Sequence, residues 1–339
     1  MHNIGPCQLR WIGLQPVRDR TLRYFITGCA GFIGSTLTDR LLAEGHRVRG
    51  YDSFSSGQEA FLSAARNCAG FDLVRADVLD ITTLSQSMAG FEFVFHLAAN
   101  ADVRHGPEHP RRDLEQNTIA THNVLEAMRR NGLRRIAFAS SGSVYGDAAV
   151  IPTPEDAPFP VQTSLYAASK LAGEGLISAY CAAFGFQAYI FRLVSILGER
   201  YTHGHVFDFY RQLRLDPSRL CVLGDGRQRK SYLHVQDCIE AMLLAIDRAS
   251  GRVNILNLGH ERSCEVRQSI AWICEALGFA PEIRYQGGDR GWVGDSPCIL
   301  LDTARMRALG WQPALSIQDA VLRTLRYLEA HPGLLDARA

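Results

Sequence analysis

The chain has 339 residues, of which 47% are hydrophobic and 21% are charged, a balance typical of a folded globular protein rather than a disordered one. Its 36 Lys and Arg residues nearly balance its 35 Asp and Glu residues, so the overall charge gives no reason to expect binding to nucleic acid or to an acidic membrane. The function must therefore be sought in local motifs.

The nine cysteines are scattered along the sequence without a Cys-x-x-Cys pair. This pattern is typical of reduced thiols in a cytosolic protein, and it indicates neither a disulfide framework nor a zinc site. No apolar run approaches the roughly 20 residues that a membrane-spanning helix needs. Residues 1–20 contain no continuous apolar segment like that of a signal peptide, and we interpret them as an irregular extension. We therefore expect a cytoplasmic protein without a bound metal.

Short apolar segments alternate with amphipathic segments of helical length through most of the chain. The predicted strands cover 22–28, 46–52, 71–77, 91–98, 134–140 and 187–193, and the predicted helices cover 34–44, 117–131 and 165–184. Each of these helices is followed by a glycine, the residue favoured just after a helix C-terminus. The alternation predicts an α/β protein with a Rossmann-type, doubly wound parallel sheet, in which ligands bind at the carboxyl ends of the strands.

The alternation loosens after about residue 195, although a helix over 235–249 and a strand over 253–259 are still clear. We therefore expect a smaller, discontinuous C-terminal lobe that closes over the strand ends and binds the substrate. The predicted parts are a Rossmann domain over 21–194 that also receives about 232–260, a substrate-binding lobe over 195–231 and 261–330, and a tail over 331–339.

A glycine-rich turn follows the first predicted strand. Gly28, Gly31 and Gly34 stand at three-residue intervals in FITGCAGFIGSTL. Glycine lets the backbone turn tightly and approach a pyrophosphate, which the N–H groups at a helix N-terminus stabilise. Asp52 ends the second strand, where a carboxylate accepts both ribose hydroxyls of NAD and repels the 2′-phosphate of NADP. A plain strand–helix turn and a turn-initiating Asp are the alternatives, but the order of these features predicts an NAD site.

Tyr166 and Lys170 are four residues apart in a predicted helix and therefore lie on the same face of it. A free tyrosine has a pKa of about 10, and a neighbouring ammonium group together with an oxidised nicotinamide lowers it, so that Tyr166 becomes a usable base or acid near neutral pH. Tyr-x-x-x-Lys is also common on solvated helix faces. Because a phosphate-binding turn and a serine-rich strand end at 140–143 precede it here, the pattern indicates a catalytic pair instead.

Taken together, these motifs resemble those of the extended short-chain dehydrogenases/reductases of the nucleotide-sugar epimerase/dehydratase family. The resemblance covers about residues 22–330 and rests on TGCAGFIG, Asp52, RADVLD, HLAA, SSGSVYG, YAASK, FRLVSILGER, GDGRQRKSYLHVQD and LGWQP. It implies an NAD-dependent nucleotide-sugar 4-epimerase that oxidises the sugar transiently at C4 through a 4-keto intermediate. UDP-glucose and UDP-galactose are the favoured substrates, and the resemblance also implies a homodimer formed through helices near 115–130 and 165–184.

The resemblance implies roles for individual residues. The backbone around Phe32 and Ile33 is expected to hold the pyrophosphate. Ser141 is expected to join Tyr166 and Lys170, with Tyr166 taking the proton of the sugar C4 hydroxyl and Lys170 bonding the nicotinamide ribose. The other implied cofactor contacts are Asp52 at the adenosine ribose, Asp77 and Val78 beside the adenine, and Leu97, Ala98 and Ala99 along the cofactor.

The stretch SSGSVYGD, at 140–147, argues against two branches of the family. Dehydratases place Asp and Glu directly after the active-site hydroxyl residue, because loss of water across C5–C6 needs an acid and a base. Gly142 and Ser143 stand at these positions, and neither titrates usefully. Decarboxylases also carry a Glu there, so the stretch favours reversible oxidation at a sugar carbon.

The expected substrate-binding residues include two departures from the family. Ser195 stands where the family usually has Asn. Lys230 stands where the family usually has Arg, and a lysine cannot form a bidentate contact with a phosphate. Arg290 is either a further phosphate clamp or one partner of a surface ion pair. The full set of expected substrate contacts is Ser141, Ser143, Tyr166, Ser195, Lys230 and Arg290.

The identity of the sugar remains open at the level of the sequence. Arg104 and His105 could meet a sugar carboxylate or hydroxyl, although a solvated polar loop suits them as well, and Ile299 neither favours nor excludes an N-acetyl group. The alternatives are an epimerase of UDP-glucuronate or UDP-N-acetylglucosamine and a 4-keto-sugar reductase. A redox-inactive nucleotide-binding protein is disfavoured, because such a protein has no need for the aligned Tyr166 and Lys170.

Overall fold

The computed structural model describes residues 20–101, 103, 106, 108–292 and 294–336. Residues 1–19 of the predicted extension lie outside the described residues, as do Arg104 and His105.

The described residues form strands and helices in close alternation. The strands are β1 (Arg23–Thr27), β2 (Arg47–Asp52), β3 (Phe71–Arg75), β4 (Phe93–His96), β5 (Arg135–Ser141), β6 (Gln187–Leu193), β7 (Ser195–Leu197), β8 (Arg219–Val222), β9 (Arg229–Lys230), β10 (Tyr232–His234), β11 (Val253–Leu258), β12 (Cys264–Glu265), β13 (Glu282–Tyr285) and β14 (Cys298–Ile299).

The α-helices follow the same chain order. They are α1 (Phe32–Ala43), α2 (Ser63–Arg66), α3 (Ile81–Ser87), α4 (Pro110–Asp113), α5 (Ala120–Arg130), α6 (Leu165–Phe184), α7 (His205–Leu215), α8 (Val235–Arg248), α9 (Val266–Leu277), α10 (Ala304–Ala308), α11 (Ile317–Ala330) and α12 (Gly333–Asp336). A π-helix (Leu114–Ile119) joins α4 to α5, and 3-10 helices cover Glu59–Leu62 and Gly142–Tyr145.

Seven parallel strands form the main sheet in the order β11-β6-β5-β4-β1-β2-β3. The chain runs outward in one direction from β1 and in the other from β4, so the strand order reverses between these two strands. Such a switch point opens a crevice at the carboxyl ends of the strands. Thr27, Asp52, His96 and Ser141 end four of these strands and carry polar side chains to this edge. The predicted fold class is confirmed.

Both faces of the sheet are covered. Tyr24 and Ile26 of β1 belong to the core that also contains Leu37 of α1, whereas Phe25 belongs to a second core with Val124 of α5. Neighbouring residues of a strand point to opposite faces, so apolar residues at consecutive positions require helices on both sides. The apolar sequence of these strands therefore dictates the layered architecture.

The predicted strands and helices of this region are confirmed, with small differences at their ends. Helix α6 shows why the sequence signals were sufficient. The Ser164 side chain accepts a hydrogen bond from the N–H of Ala167, and Gly185 takes a left-handed conformation (φ 67°) after the last turn. Sequence reasoning did not predict the π-helix ahead of α5.

Beyond β6 the chain forms three small sheets, which pair β10 with β7, β9 with both β12 and β14, and β13 with β8. Helices α7, α9 and α11 pack around a separate apolar core in this region. Sequence reasoning predicted neither α7 nor α9. Leu335, in the predicted tail, is buried in this core, so part of that tail packs against these helices. No described helix is both long enough and apolar enough to cross a membrane.

Candidate active site

Glycine occupies the three positions of the first turn for different structural reasons. Gly28 has a φ of +74°, and a Cβ there would lie 2.6 Å from the N atom of Ala98. A Cβ on Gly34 would lie 2.0 Å from the carbonyl oxygen of Gly28. A Cβ on Gly31, at φ −77°, would meet only that same oxygen, at 3.3 Å. Gly28 and Gly34 are therefore required by the protein's own packing, whereas Gly31 leaves space above α1 for a ligand.

The N-terminus of α1 is suited to an anion. Gly31 is its N-cap residue and makes no side-chain capping hydrogen bond, and the first turn contains no acidic residue. The first N–H groups of a helix lack partners within the helix and lie at the positive end of its dipole. The backbone at Phe32 and Ile33 thus fits the predicted pyrophosphate contact.

Asp52 is buried at the end of β2 and is held in place by the backbone. Its Oδ2 accepts a hydrogen bond from the N–H of Ala30 (2.8 Å), and its Oδ1 accepts one from the N–H of Phe54 (2.8 Å). Burial raises the pKa of the carboxyl, and these two bonds oppose that rise. Each oxygen retains the capacity to accept a second hydrogen bond, as ribose recognition requires.

Asp77 and Val78 lie in the turn after β3. The Oδ1 atom of Asp77 accepts a hydrogen bond from the N–H of Leu79 (2.9 Å), and its carbonyl oxygen accepts one from the hydroxyl of Tyr51 (3.0 Å). The Val78 side chain is buried in the apolar core. The turn is therefore held in place beside the carboxyl end of β2.

Leu97, Ala98 and Ala99 follow β4 at the switch point. The N–H of Leu97 donates to the carbonyl oxygen of Thr27 (3.2 Å), and the N–H of Ala98 donates to the hydroxyl of Thr27 (3.2 Å). All three residues are partly exposed. This segment lies directly against the glycine turn, because Gly28 approaches Ala98 too closely to carry a side chain.

The structure brings the three predicted catalytic residues together. The Ser141 hydroxyl lies beside the Tyr166 phenol, close enough to lower its pKa. The Nζ atom of Lys170 lies 5.8 Å from the centre of the Tyr166 ring and donates a hydrogen bond to the carbonyl oxygen of Ala139 (2.8 Å). Lys170 is buried and Tyr166 is partly buried. A hydroxyl, a phenol and an ammonium group therefore meet at the carboxyl edge of the sheet.

Burial dominates the acid–base properties of this group. It raises the pKa of Tyr166 to about 12, and the nearby Ser141 hydroxyl opposes that rise. It lowers the pKa of Lys170 to about 8, and the nearby carboxylates of Asp113 and Glu174 oppose that fall. In the protein alone the phenol is neutral, so it needs a further positive charge nearby to act as a base at neutral pH.

Ser143 and Gly142 belong to the short turn that follows β5. The Ser141 side chain accepts a hydrogen bond from the N–H of Ser143 (3.1 Å), and the two hydroxyl oxygens are 2.7 Å apart. A Cβ on Gly142 would lie 3.3 Å from Leu301 and 3.4 Å from the carbonyl oxygen of Leu193. The position where a dehydratase carries Asp is therefore closely packed in this chain.

Lys230 and Ser195 lie in the small sheets of the C-terminal region. The Nζ atom of Lys230 is 2.6 Å from Oδ1 of Asp295 and also bonds the carbonyl oxygen of Ser296, and the ion pair is largely buried. Ser195 begins β7 and is exposed next to Tyr232 of β10. The Asp295 carboxylate is therefore the charged partner of Lys230 in this structure.

Arg290 forms a two-pronged ion pair with Asp147, with nitrogen–oxygen distances of 3.1 and 2.8 Å. It also donates to the carbonyl oxygen of Asp295 (2.6 Å). Both side chains of the ion pair are substantially exposed, so this structure contains the surface ion pair that the sequence offered as one alternative. The contact of Lys230 and Arg290 with a diphosphate stays a prediction.

Sequence reasoning missed a buried polar cluster beside Tyr166 and Lys170. Asp113, at the end of α4, accepts a hydrogen bond from the side-chain amide of Asn100 (2.8 Å). The side-chain amide of Asn117 donates to the hydroxyl of Ser169 on α6 (2.9 Å). The sequence signal for this cluster was Asn117 itself, because a polar residue within a predicted helix indicates a polar partner. The cluster attaches the π-helix to the catalytic helix.

His96 was also missed as an individual residue. Its Nδ1 lies 2.8 Å from the hydroxyl of Thr27, and its Nε2 lies 3.1 Å from the hydroxyl of Thr121. Burial and the charge of Lys170 lower the pKa of His96 to about 3, so the ring is neutral. It therefore fixes the end of β4 at the switch point and takes no part in proton transfer near neutral pH.

Comparison with known proteins identifies the family. The model of the NAD dependent epimerase/dehydratase family matches residues 24–259. The chain belongs to this family. The predictions of family, fold class and an NAD cofactor are thereby confirmed, and the glycine turn, the uncapped α1 and Asp52 fit that cofactor.

Relatives of this family member match it over nearly their whole length. A UDP-glucose 4-epimerase of Mycolicibacterium smegmatis is 34% identical over 90% of this chain and 98% of its own. A crystal structure of a UDP-galactose 4-epimerase is 37% identical, with a TM-score of 0.81, and covers 91% of this chain and 99% of its own. A UDP-glucose 4-epimerase of Thermotoga maritima, solved with UDP-glucose, is 29% identical with a TM-score of 0.82, over 91% and 99% respectively.

Proposed function

We propose that the protein is an NAD-dependent UDP-sugar 4-epimerase of the UDP-glucose/UDP-galactose type. The observation that carries the proposal is the meeting of Ser141, Tyr166 and Lys170 at a sheet edge whose first turn is open to a pyrophosphate. The similarity to named 4-epimerases along nearly the full chain supports the same activity.

The three residues supply the proton chemistry. Tyr166 accepts the proton of the sugar C4 hydroxyl and later returns it, and the Ser141 hydroxyl bridges the substrate hydroxyl and the phenol. Lys170 favours the phenolate by its charge, and its bond to Ala139 fixes its position. NAD, which the glycine turn, the N-terminus of α1 and Asp52 would hold, would supply hydride exchange with the sugar C4 and the positive charge that the phenol needs.

The turn at 141–145 limits the reaction to oxidation and reduction at the sugar carbon. Elimination of water requires an acid and a base next to the active-site hydroxyl. Gly142 is packed against Leu301, and Ser143 is bonded to Ser141. A 4-keto intermediate is therefore reduced again and is not dehydrated.

The candidate substrate contacts belong to the proposed lobe over 195–231 and 261–330. Lys230 and Arg290 are the cations proposed to bind the diphosphate, and each would exchange a carboxylate, Asp295 or Asp147, for a phosphate oxygen. Ser195 is exposed and offers a single hydroxyl, so the two cations carry most of the diphosphate binding.

The proposed assembly is a homodimer in the cytoplasm. Exposed apolar side chains lie on the π-helix, at Leu114 and Ile119, and at Phe184, the last residue of α6. Pairing these helices between two copies would remove the apolar side chains from water. The eight described cysteines are free, which suits a reducing compartment.

A substrate panel tests the proposed function. Purified protein is incubated separately with UDP-glucose, UDP-galactose, UDP-glucuronate and UDP-N-acetylglucosamine, and products and NADH are quantified. We expect interconversion of UDP-glucose and UDP-galactose without added cofactor or net NADH consumption. The Tyr166→Phe protein, which lacks only the phenolic hydroxyl, should retain NAD and lose turnover by a factor of about 10² to 10⁴. Stoichiometric oxidation of NADH would indicate a reductase instead.

A further inference from the structure

Helix α6 is attached to β5 at three successive turns. Tyr166 lies beside Ser141, and Lys170, one turn later, donates a hydrogen bond to the carbonyl oxygen of Ala139. Glu174, another turn later, accepts a hydrogen bond from the Ser140 hydroxyl. Three consecutive strand residues thus hold three consecutive helical turns. The proposed mechanism uses the first two attachments and leaves the third unexplained.

Glu174 is also paired with a buried arginine. The Nη2 atom of Arg192, on β6, lies 2.7 Å from Oε2 of Glu174, and its Nε lies 3.1 Å from Oε1. Both side chains are at most 5% exposed. A buried ion pair is weak evidence for stability, because an apolar pair of similar volume often stabilises a protein as well or better. A positional role is therefore the more informative explanation.

The remaining donor of Arg192 reaches the other side of the site. Its Nη1 donates to the hydroxyl of Tyr145 (2.7 Å) and to the carbonyl oxygen of Glu155 (2.9 Å). Tyr145 is the last residue of the 3-10 helix, and Ser141 caps the start of this helix by accepting a hydrogen bond from the N–H of Ser143. The Tyr145 hydroxyl donates a hydrogen bond to Oδ1 of Asn257 (2.9 Å). One guanidinium group therefore bonds both the helix that carries Tyr166 and the turn that begins at Ser141.

We infer that Arg192 is a positioning residue for the 4-epimerase reaction, which holds the Ser141 hydroxyl against the Tyr166 phenol by bonding Glu174 and Tyr145 at once. The inference rests on the proposed function. It requires the planar, forked guanidinium group, because lysine carries the same charge but cannot bond two separate partners in a fixed geometry.

The effect of Arg192 on the geometry of the site can be tested separately from the effect of its charge. The groups that act on Tyr166 and Lys170 are Asp113 of α4, Glu174 of α6 and the Ser141 hydroxyl, while His96 is neutral. Arg192→Lys keeps the charge opposite Glu174 and removes the bond to Tyr145. Tyr145→Phe removes the same bond and leaves the ion pair intact. Both variants therefore alter geometry with little change in charge.

The test compares these two variants with Arg40→Lys. Arg40 is a buried arginine of α1 that bonds the partly exposed Glu44 and Glu240 away from the strand ends, so it controls for the effect of shortening a buried arginine. For each holoenzyme we would measure the melting temperature, kcat and KM for UDP-galactose. In NAD-loaded protein, the ionisation of Tyr166 would be measured as the ultraviolet difference from the matching Tyr166→Phe protein.

We expect kcat to fall about 10- to 100-fold in Arg192→Lys and Tyr145→Phe with KM nearly unchanged, because a misplaced reacting group slows the chemical step. The pKa of Tyr166 should rise in both, since the nearby Ser141 hydroxyl lowers it. Arg40→Lys should lower the melting temperature alone. An unchanged kcat and Tyr166 pKa in the two variants would overturn the inference.

The outcomes also distinguish this inference from the proposed function. If the wild-type protein epimerises no UDP-sugar, the proposed function fails, and the Tyr166 ionisation still reports whether Arg192 sets the Ser141–Tyr166 contact. If the wild-type protein is active and losses in kcat only track losses in melting temperature across all three variants, Arg192 has a structural role only.

Discussion

At the scale of single residues, the glycine turn contains one glycine that packing requires and another that leaves room for a ligand. Gly28 has a positive φ and lies against Ala98, whereas Gly31 has an ordinary backbone conformation and one marginal contact. The sequence shows three equivalent glycines and cannot distinguish these two reasons. The distinction depends on β4, which brings Ala98 to the turn from seventy positions away.

We predict opposite consequences for two matched substitutions in this turn. Gly28→Ala should lower the free energy of unfolding by more than about 1 kcal/mol, because alanine is strained at a positive φ. Gly31→Ala should change stability little but weaken NAD binding, because the added methyl group occupies the space above α1. Urea denaturation and titration of nucleotide-free protein with NAD measure the two effects. Equal loss of stability in both variants would show that Gly31 is structural.

Lys170 gives a prediction about pH. Burial lowers its pKa from 10.5 to about 8, so above pH 8 the unfolded chain holds more protons at this residue than the folded one. Its contribution to the free energy of unfolding therefore rises with pH. Between pH 8 and 10, nucleotide-free wild-type protein should gain about 2 kcal/mol relative to Lys170→Met. Urea denaturation at several pH values measures this, and parallel pH profiles would contradict it.

At the scale of elements, local signals predict what local forces determine. Ser164 and Gly185 cap α6, and its predicted bounds, 165–184, are the observed ones. The π-helix Leu114–Ile119 escaped prediction because its neighbours are distant: Asn117 bonds Ser169, 52 residues further along the chain. Such a contact is invisible to helical periodicity, although an Asn within a helical segment indicates a polar partner.

At the scale of the whole molecule, the sequence predicts the sheet, the cofactor end and the catalytic trio, because strand–helix alternation and ordered motifs determine them. It does not predict which charges pair. Asp147 and Arg290 are 143 residues apart, and Lys230 and Asp295 are 65 apart. These pairs form only once the small sheets are in place, and they determine which cations are free to meet a substrate.

The Arg290–Asp147 pair leads to a prediction about substrate affinity. If Arg290 binds the diphosphate, Asp147 competes with the substrate for it. Asp147→Asn should therefore lower KM for a UDP-sugar several-fold while kcat stays the same. Because the pair is exposed, the stability of the protein should change by less than about 1 kcal/mol. Steady-state kinetics measure the effect, and an unchanged KM would leave Arg290 as a surface residue only.

The central claim is that C4 is oxidised and reduced again within one active site. UDP-galactose carrying deuterium at C4 tests it most directly, with the product and the solvent followed by mass spectrometry and NMR. We predict UDP-glucose that retains the deuterium at C4, with no release of label to water and no accumulation of free NADH. Loss of the label to solvent, or a product without deuterium at C4, would contradict the account.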